Sequence, residues 1–452
     1  MTHETLQQKL EQSGDPVAML RSNQARYYAF PMFPQFTTWQ EEQNAWATTA
    51  TLFDQSYHMT DAYFEGVDAK RLMSDIGING FTSFGARQAK QLVACNEGGH
   101  IIGDAILFAW TDHKFSIVGG GGVLANWVQS HAERNGYDVD ISRDSAAAKY
   151  KDLRKLFRFQ LQGPNALTII TKAHGAPLEP IKFFHIGEFT IAGVRVRALN
   201  HTMSGGSGAP THGLEIAGPY DRGEHVLEAL QRAGEEFGLC LGGGIAYSTA
   251  GIESGWVGMY LSAIYTGEGT RAHREWLRAD SWEAGASLGG SFVSTDIKDY
   301  YLNPWDLGYE RLIRFDHDFI GREALERMAD EPHRRKVWLV WNDEDVASVY
   351  SSSLFAGEHR AKYLQVPNGS YVMFQYDAVY RKDRLIGISN RNSYTVNIGR
   401  WASLAVLDED VIEDGAEVVL QWGEPDGGRS RSSVESHQMT NIRATISTKK
   451  PC

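Results

Sequence analysis

Arg327-Met328-Ala329-Asp330-Glu331-Pro332-His333-Arg334-Arg335-Lys336 is a polar break that contains a proline and leads into the apolar run Val337–Trp341. A composition shift of this kind ahead of a β-branched and aromatic run marks a domain boundary, placed here between residues 330 and 331. Downstream, 331–452 is strand-rich. Strands are expected at 336–342 and 416–422, with turn signals at Pro367-Asn368-Gly369 and Pro425-Asp426-Gly427. This part reads as a small all-β domain. Upstream, 1–330 mixes both element types. Helices are expected over 4–12 and over 39–49, the second behind a Thr38 cap with Glu41 and Glu42 following. A third is expected over 221–237, where Asp221 can cap, Val226, Leu227, Leu230, Ala233 and Phe237 fall near one face, and Gly238 offers a stop. Strands are expected at 104–110, 114–118 and 190–200. The elements alternate without a βαβ rhythm, which favours an α+β fold over a doubly wound sheet.

The chain has 452 residues, 42% of them hydrophobic and 22% charged. That excludes a disordered chain, a collagen and a small disulfide scaffold. The length corresponds to about three domains or one large multi-part enzyme. A net charge of -12 argues against a generic grip on nucleic acid or an anionic membrane, since phosphate contacts need a basic surface. Cys95, Cys240 and Cys452 lie far apart, so neither a zinc ribbon nor a redox dithiol is signalled. The N-terminus lacks an apolar secretory region and no apolar run approaches membrane-spanning length. A cytoplasmic location is expected.

Several short motifs have a plain structural reading. Gly119–Gly122 sits between a strand and a helix expected to start near Ala125, but it lacks the Lys-Ser/Thr of a P-loop and the spaced glycines of a dinucleotide fingerprint. It reads as a tight turn that can form one wall of a pocket. Gly285-Ala286-Ser287-Leu288-Gly289 matches G-x-S-x-G without the strand and helix a nucleophile elbow needs. Asp316-His317-Asp318 reads as a turn or cap, and no metal site is expected. His58 and Tyr247 taken alone read as packing residues. A tyrosine is a useful acid only where a phenolate-like group leaves, because its ordinary pKa is about 10.

Four segments in order resemble the aminomethyltransferase (glycine cleavage T-protein) superfamily. They are Phe159-Gln160-Leu161-Gln162-Gly163-Pro164, Gly213-Leu214-Glu215-Ile216, Ile252-Glu253-Ser254-Gly255-Trp256 and Phe315-Asp316-His317-Asp318-Phe319-Ile320-Gly321-Arg322. Gly387 through Leu407 is similar to the superfamily's C-terminal barrel. Within it, the chain resembles the tetrahydrofolate-dependent aryl O-demethylases of the vanillate, 3-O-methylgallate and syringate type. Leu52-Phe53-Asp54-Gln55, His58-Met59, Phe183-Phe184, Ala246-Tyr247-Ser248-Thr249, Ala263-Ile264-Tyr265-Thr266-Gly267 and Gly289-Gly290-Ser291-Phe292-Val293-Ser294 carry that likeness.

The resemblance implies a three-part, clover-like arrangement, with 1–330 as the folate-binding region of two subdomains and 331–452 as a β-barrel. It implies tetrahydrofolate as methyl acceptor, a small methoxylated arene as substrate, and a role in aromatic catabolism such as lignin degradation. Glu215 is expected to hold the pterin, with Trp256, Gln162 and Val118 lining the folate site. Tyr247, His58 and Gln55 are expected around the methyl group in transit, with Phe30, Tyr57, Gly121 and Gly122 against the arene. Tyr247 is then a phenol poised to protonate a leaving phenolate, a near match of acidities.

Two departures qualify the likeness. Gly98-Gly99-His100-Ile101-Ile102-Gly103-Asp104 carries one acid where the T-protein usually has a pair, which argues against aminomethyl transfer. The glycine run Gly119–Gly122 stands where vanillate-type enzymes carry an arginine that can anchor a benzoate carboxylate, and Phe30 stands for a pocket tyrosine. Syringate, or a chlorinated methoxybenzoate such as dicamba, is therefore a candidate beside vanillate. Arg87, Lys90, Arg195 and Arg197 are unranked candidates for the carboxylate anchor. Demethylation of a sulfonium or amine, and a non-catalytic folate-binding scaffold, are the competing readings.

Overall fold

The computed structural model describes residues 3–144, 154–201, 213–355 and 357–451, so Cys452 lies outside the described residues. Local sequence sets the helix ends. Thr5 and Gln8 form a capping box at Leu6–Ser13, and Thr38 and Glu41 form another at Trp39–Thr48. Each cap satisfies backbone N–H groups that have no intrahelical partner.

Three sheets organise the described residues. The first orders Leu239–Gly242, Ala50–Asp54, Leu156–Gln162, Gly213–Pro219, Val194–Asn200 and Ile186–Ile191. Its pairing register explains its two faces. Leu52, Leu161 and Leu214 align across three strands, and Phe159 and Ile216 align across two of them. These side chains pack beneath the helices Ala166–His174 and Gly223–Gly234. Phe53, Gln160, Glu215 and Leu199 align on the opposite face, because successive side chains of a strand alternate. That face is turned toward the middle of the molecule.

The second sheet orders Gln88–Cys95, Ile101–Thr111, Lys114–Gly119, Thr60–Glu65 and Asp140–Asp144. The third is the barrel. Phe374–Arg381, Arg384–Thr395, Arg400–Asp408, Arg334–Trp341, Thr440–Ser447 and Glu417–Trp422 follow one another, and the last pairs back onto the first. Closure removes the free sheet edges. The two-residue strand Leu288–Gly289 joins this sheet from the upstream part of the chain.

Two local expectations are corrected. The single strand foreseen at 190–200 is a hairpin, Ile186–Ile191 and Val194–Asn200, because Ala192 and Gly193 both take positive φ (50° and 75°) in a two-residue turn. Asp221 does not cap the following helix. It lies inside a 3₁₀ turn, Tyr220–Arg222, and Arg222 occupies the cap position without a side-chain bond. Gly238 does close the segment, with φ +69°. Among the described residues no helix is long and apolar enough to cross a membrane.

Candidate active site

A cavity of about 470 Å³ lies where the three sheets meet. The second sheet supplies Ile102–Ile106 and Ile117–Gly119, the first sheet's flank supplies His58 and His201, and the barrel supplies Phe374 and Arg391. The walls are mainly apolar, and the size suits a drug-sized ligand.

Tyr247 ends the short helix Gly244–Tyr247 and is 4% exposed. Two buried groups place this helix. Glu42 accepts from the Gly243 N–H at 2.8 Å, and its other oxygen accepts from Phe36 and Thr37 N–H at 2.6 and 3.1 Å. One carboxylate thus fastens the loop beyond Phe30 to the turn before Tyr247. Gln55 donates its Nε2 hydrogen to the Tyr247 hydroxyl at 3.3 Å, and its own backbone N–H is held by the Arg158 carbonyl at 2.8 Å. Burial pushes the Tyr247 phenol up, while the charges of Arg391 and Arg158 pull the other way.

Aromatic rings surround this hydroxyl. His58 and Phe30 stand edge-on to Tyr247, with centroids 5.3 and 5.0 Å away, and Phe30 stands edge-on to His58 at 4.7 Å. Tyr28 packs on Phe30 and Trp282, and burial pushes its phenol up to about 12. His58 is 8% exposed, and its Nδ1 has no hydrogen-bond partner among the described residues. Burial first, then the charge of Arg391, pushes its imidazole down to about 3. The ring is therefore neutral at any physiological pH.

The glycine run forms the wall its sequence suggested. Gly121 has φ +62°, and a Cβ there would meet the Trp282 indole at 3.0 Å. Gly122 then starts the helix Val123–Asn135.

Glu215 lies 2% exposed in the polar face of the first sheet. Its carboxylate accepts from Arg158, and from His201 Nε2 at 2.9 Å. Arg158 also contacts Asp61, and Arg154 pairs with Asp61 and Asp144 at 3.5 and 3.4 Å. His201 lines the cavity, so Glu215 reaches the wall through it. Asp104 is on the wall itself. It accepts from Tyr309 at 2.9 Å, from Trp256 Nε1 at 3.3 Å, and from Tyr260 and Gln91. Burial raises its carboxyl pKa and these four donors oppose the rise. Trp256 and Phe183 also line the cavity and are 41% and 60% exposed, which puts them at its mouth.

Of the residues singled out from sequence, Tyr247, His58, Phe30, Val118, Trp256, Gly121 and Gly122 line the cavity. Gln55 and Glu215 stand one contact behind the wall. Gln162 is fully buried in its strand and Tyr57 pairs its hydroxyl with that of Tyr220 at 2.6 Å, so neither reaches the wall. Arg87, Arg195 and Arg197 gather on Glu188, and Lys90 sits between the Phe81 and Phe84 rings, so none of the four reaches it either. The sequence reading missed Tyr28, Trp282, Tyr260, Tyr309 and Arg391 on the wall and the engaged state of Asp104. Nothing in their local strings marks them. Ser287 is structural, donating to the Ala25 carbonyl at 2.6 Å and accepting from the Met373 N–H at 3.0 Å. His317 donates to the Gly77 carbonyl at 3.1 Å.

The chain is 42% identical over 444 residues to a syringate O-demethylase of Sphingobium sp. (strain NBRC 103272 / SYK-6), covering 98% of this chain and 95% of that protein. It is 28% identical over 373 residues to a sesamin methylene transferase of Sinomonas sp. (strain No.22), covering 80% and 78%. Its fold is that of the glycine cleavage system aminomethyltransferase T from Bartonella henselae, with a TM-score of 0.61 at 15% identity over 98% and 96% of the two chains. Residues 8–261, more than half of the chain, match the GCVT N-terminal domain, and the chain belongs to that family.

Proposed function

We propose that this chain is an aryl O-demethylase that moves the methyl group of a methoxylated benzoate of the syringate or vanillate class to tetrahydrofolate. The observation that carries this reading is Tyr247, a buried phenol held by Gln55 and boxed by His58 and Phe30 in an apolar cavity. The near full-length likeness to a syringate O-demethylase supports it.

The cavity suits a folate as well as an arene. Trp256 and Phe183 at the mouth offer flat faces for a conjugated ring, and the Glu215–His201 pair supplies a carboxylate with its orienting partner. Glu215 and Trp256 are the residues we assign to it, with Val118 beneath and Gln162 supporting from the strand. When bound, tetrahydrofolate supplies N5, the nucleophile that accepts the methyl carbon.

The chain's own residues handle the other product. As the methyl C–O bond breaks, its electron pair stays on the oxygen attached to the ring, and that phenolate needs a donor. Tyr247 donates there. Because burial keeps its phenol protonated throughout the working range, it gives a hydrogen bond first and a proton only as negative charge grows opposite it. Gln55 holds the hydroxyl by donating to it, which fixes the position of the phenol on the cavity wall. His58, neutral and packed on Phe30, holds the edge of the arene. The aromatic box excludes water and fixes approach geometry. In this reading 1–330 provides the folate and proton-donating groups and 331–452 closes the cavity.

The test is a coupled assay following 5-methyltetrahydrofolate and the free phenol from syringate, vanillate, 3-O-methylgallate and dicamba. Equal amounts of both products are expected from at least one arene. Tyr247→Phe is expected to lower turnover about 100-fold or more while both ligands still bind. Full activity in that variant would remove Tyr247 as the donor, and folate binding without turnover of any arene would remove the reaction.

A further inference from the structure

Arg391 has no part in the chemistry described so far. It lies in the barrel strand Arg384–Thr395, where pairing with Arg400–Asp408 slips register between Asn390 and Asn392. The slip makes Arg391 the extra residue of a β-bulge, with φ +44°. Glycine is the usual occupant of that left-handed region, so an arginine there is held by something other than backbone preference. Strain of this kind concentrates where a side chain is needed.

The side chain is 8% exposed and lines the cavity. Its Nη2 donates to the Ser248 carbonyl, next to Tyr247, at 2.6 Å. Its Nε is buried without a hydrogen-bond partner, and no carboxylate of the described residues forms an ion pair with it. The floor beneath it has no side chain: a Cβ on Gly251 would sit 2.8 Å from Nε and 2.9 Å from Cζ. Among the described residues it is the one lysine or arginine on the cavity wall. Of the two acids there, Asp104 is held by its four donors, and Glu283 accepts from Asn126 through Oε1 at 2.8 Å while its Oε2 has no hydrogen-bond partner; neither forms an ion pair with Arg391 among the described residues.

A buried guanidinium without a counter-ion is unfavourable unless a ligand brings the anion. A phenolate arises only as the reaction proceeds, whereas a carboxylate is anionic when it binds. We infer that Arg391 is the anion-binding residue of the cavity and pairs with the carboxylate of the aromatic substrate, setting a preference for carboxylated over neutral methoxyarenes. This rests on the O-demethylase reading above. A guanidinium and a carboxylate match as a two-bond fork, which also fixes ring orientation. The glutamyl tail of tetrahydrofolate carries the same chemistry. The burial of Arg391 beside Tyr247 favours the arene.

The experiment compares wild type, Arg391→Gly and Arg391→Lys by calorimetric binding of syringate and of tetrahydrofolate. Steady-state turnover of syringate and of 2,6-dimethoxyphenol, the same ring without a carboxylate, accompanies it. Arg391→Gly suits the left-handed backbone and is expected to fold. Its syringate Kd is expected to rise about 30-fold or more, and the preference for syringate over 2,6-dimethoxyphenol to fall by a similar factor. Arg391→Lys is expected to restore part of both. Three results overturn the inference: an unchanged syringate Kd, a weakened tetrahydrofolate Kd with syringate unaffected, or an equal fall in turnover of both arenes at unchanged Kd. Syringate binding lost in Arg391→Gly, with no methyl transfer by wild type, sustains the anion site and overturns the reaction. A wild type that neither binds nor turns over methoxybenzoates overturns both.

Discussion

Two buried arginines face the centre of this molecule from opposite sides, and they differ in what neutralises them. Arg158 lies 2% exposed in a regular strand, and its guanidinium touches Asp61 and Glu215. Arg391 lies 8% exposed on a bulge and touches the Ser248 carbonyl. In both, Nε makes no hydrogen bond among the described residues, so hydrogen bonding does not separate them. Counter-charge does. Arg158 belongs to a closed set of charges that holds Glu215 in place, and its work is finished when the chain folds. The charge of Arg391 is left for an incoming group.

The largest test of that contrast is stability. Arg158→Met leaves Asp61 and Glu215 without their main cation, and it is expected to cost about 3–5 kcal/mol in urea unfolding. Arg391→Gly removes an unneutralised charge and relieves a left-handed backbone, so a change within about 1 kcal/mol of either sign is expected. Equal losses in the two variants would break the comparison. Gly251→Ala should fall between them. Its methyl group overlaps the Arg391 guanidinium, and a cost of about 1–3 kcal/mol is expected, together with weaker syringate binding.

The smallest effect is the most selective. His58 has its pKa lowered from 6.5 to about 3, by burial first and the charge of Arg391 second. Between those values the unfolded chain binds a proton that the folded chain refuses. The contribution of this group is therefore full above pH 6.5 and is lost as pH falls from 6.5 toward 3. Its imidazole carbon resonances should not shift between about pH 5 and about pH 8. In Arg391→Gly the pKa should rise, by about one unit or less, because one repelling charge is gone. In Arg158→Met it should stay where it is.

What could be read from sequence follows the range of the interactions. The Thr38–Glu41 capping box and the Gly238 stop are contacts within a few residues, and both appear in the local string. Asp221 failed as a cap although its string was suitable, because Tyr220 is drawn to the Lys155 carbonyl at 3.0 Å and a 3₁₀ turn takes the position. The wall positions of Tyr247, His58 and Phe30 follow from a family resemblance, not from spacing. Tyr57 shows the limit of that carry-over, since one residue before His58 its side chain points to Tyr220. Arg391 was out of reach. The Asn390-Arg391-Asn392 string reads as polar strand or turn, and neither the bulge nor the bare Gly251 opposite it leaves a mark in one dimension.

The closed barrel also has a consequence in time. Gln55, His58 and Tyr247 leave the ribosome long before the strand that carries Arg391, and domains generally fold in the order they emerge. A nascent chain halted short of that strand carries the residues of the proton donor but lacks the residue that seats the anion. The proposed anion seat is thus synthesised last, and the site is complete only once the barrel strand that carries it has been made.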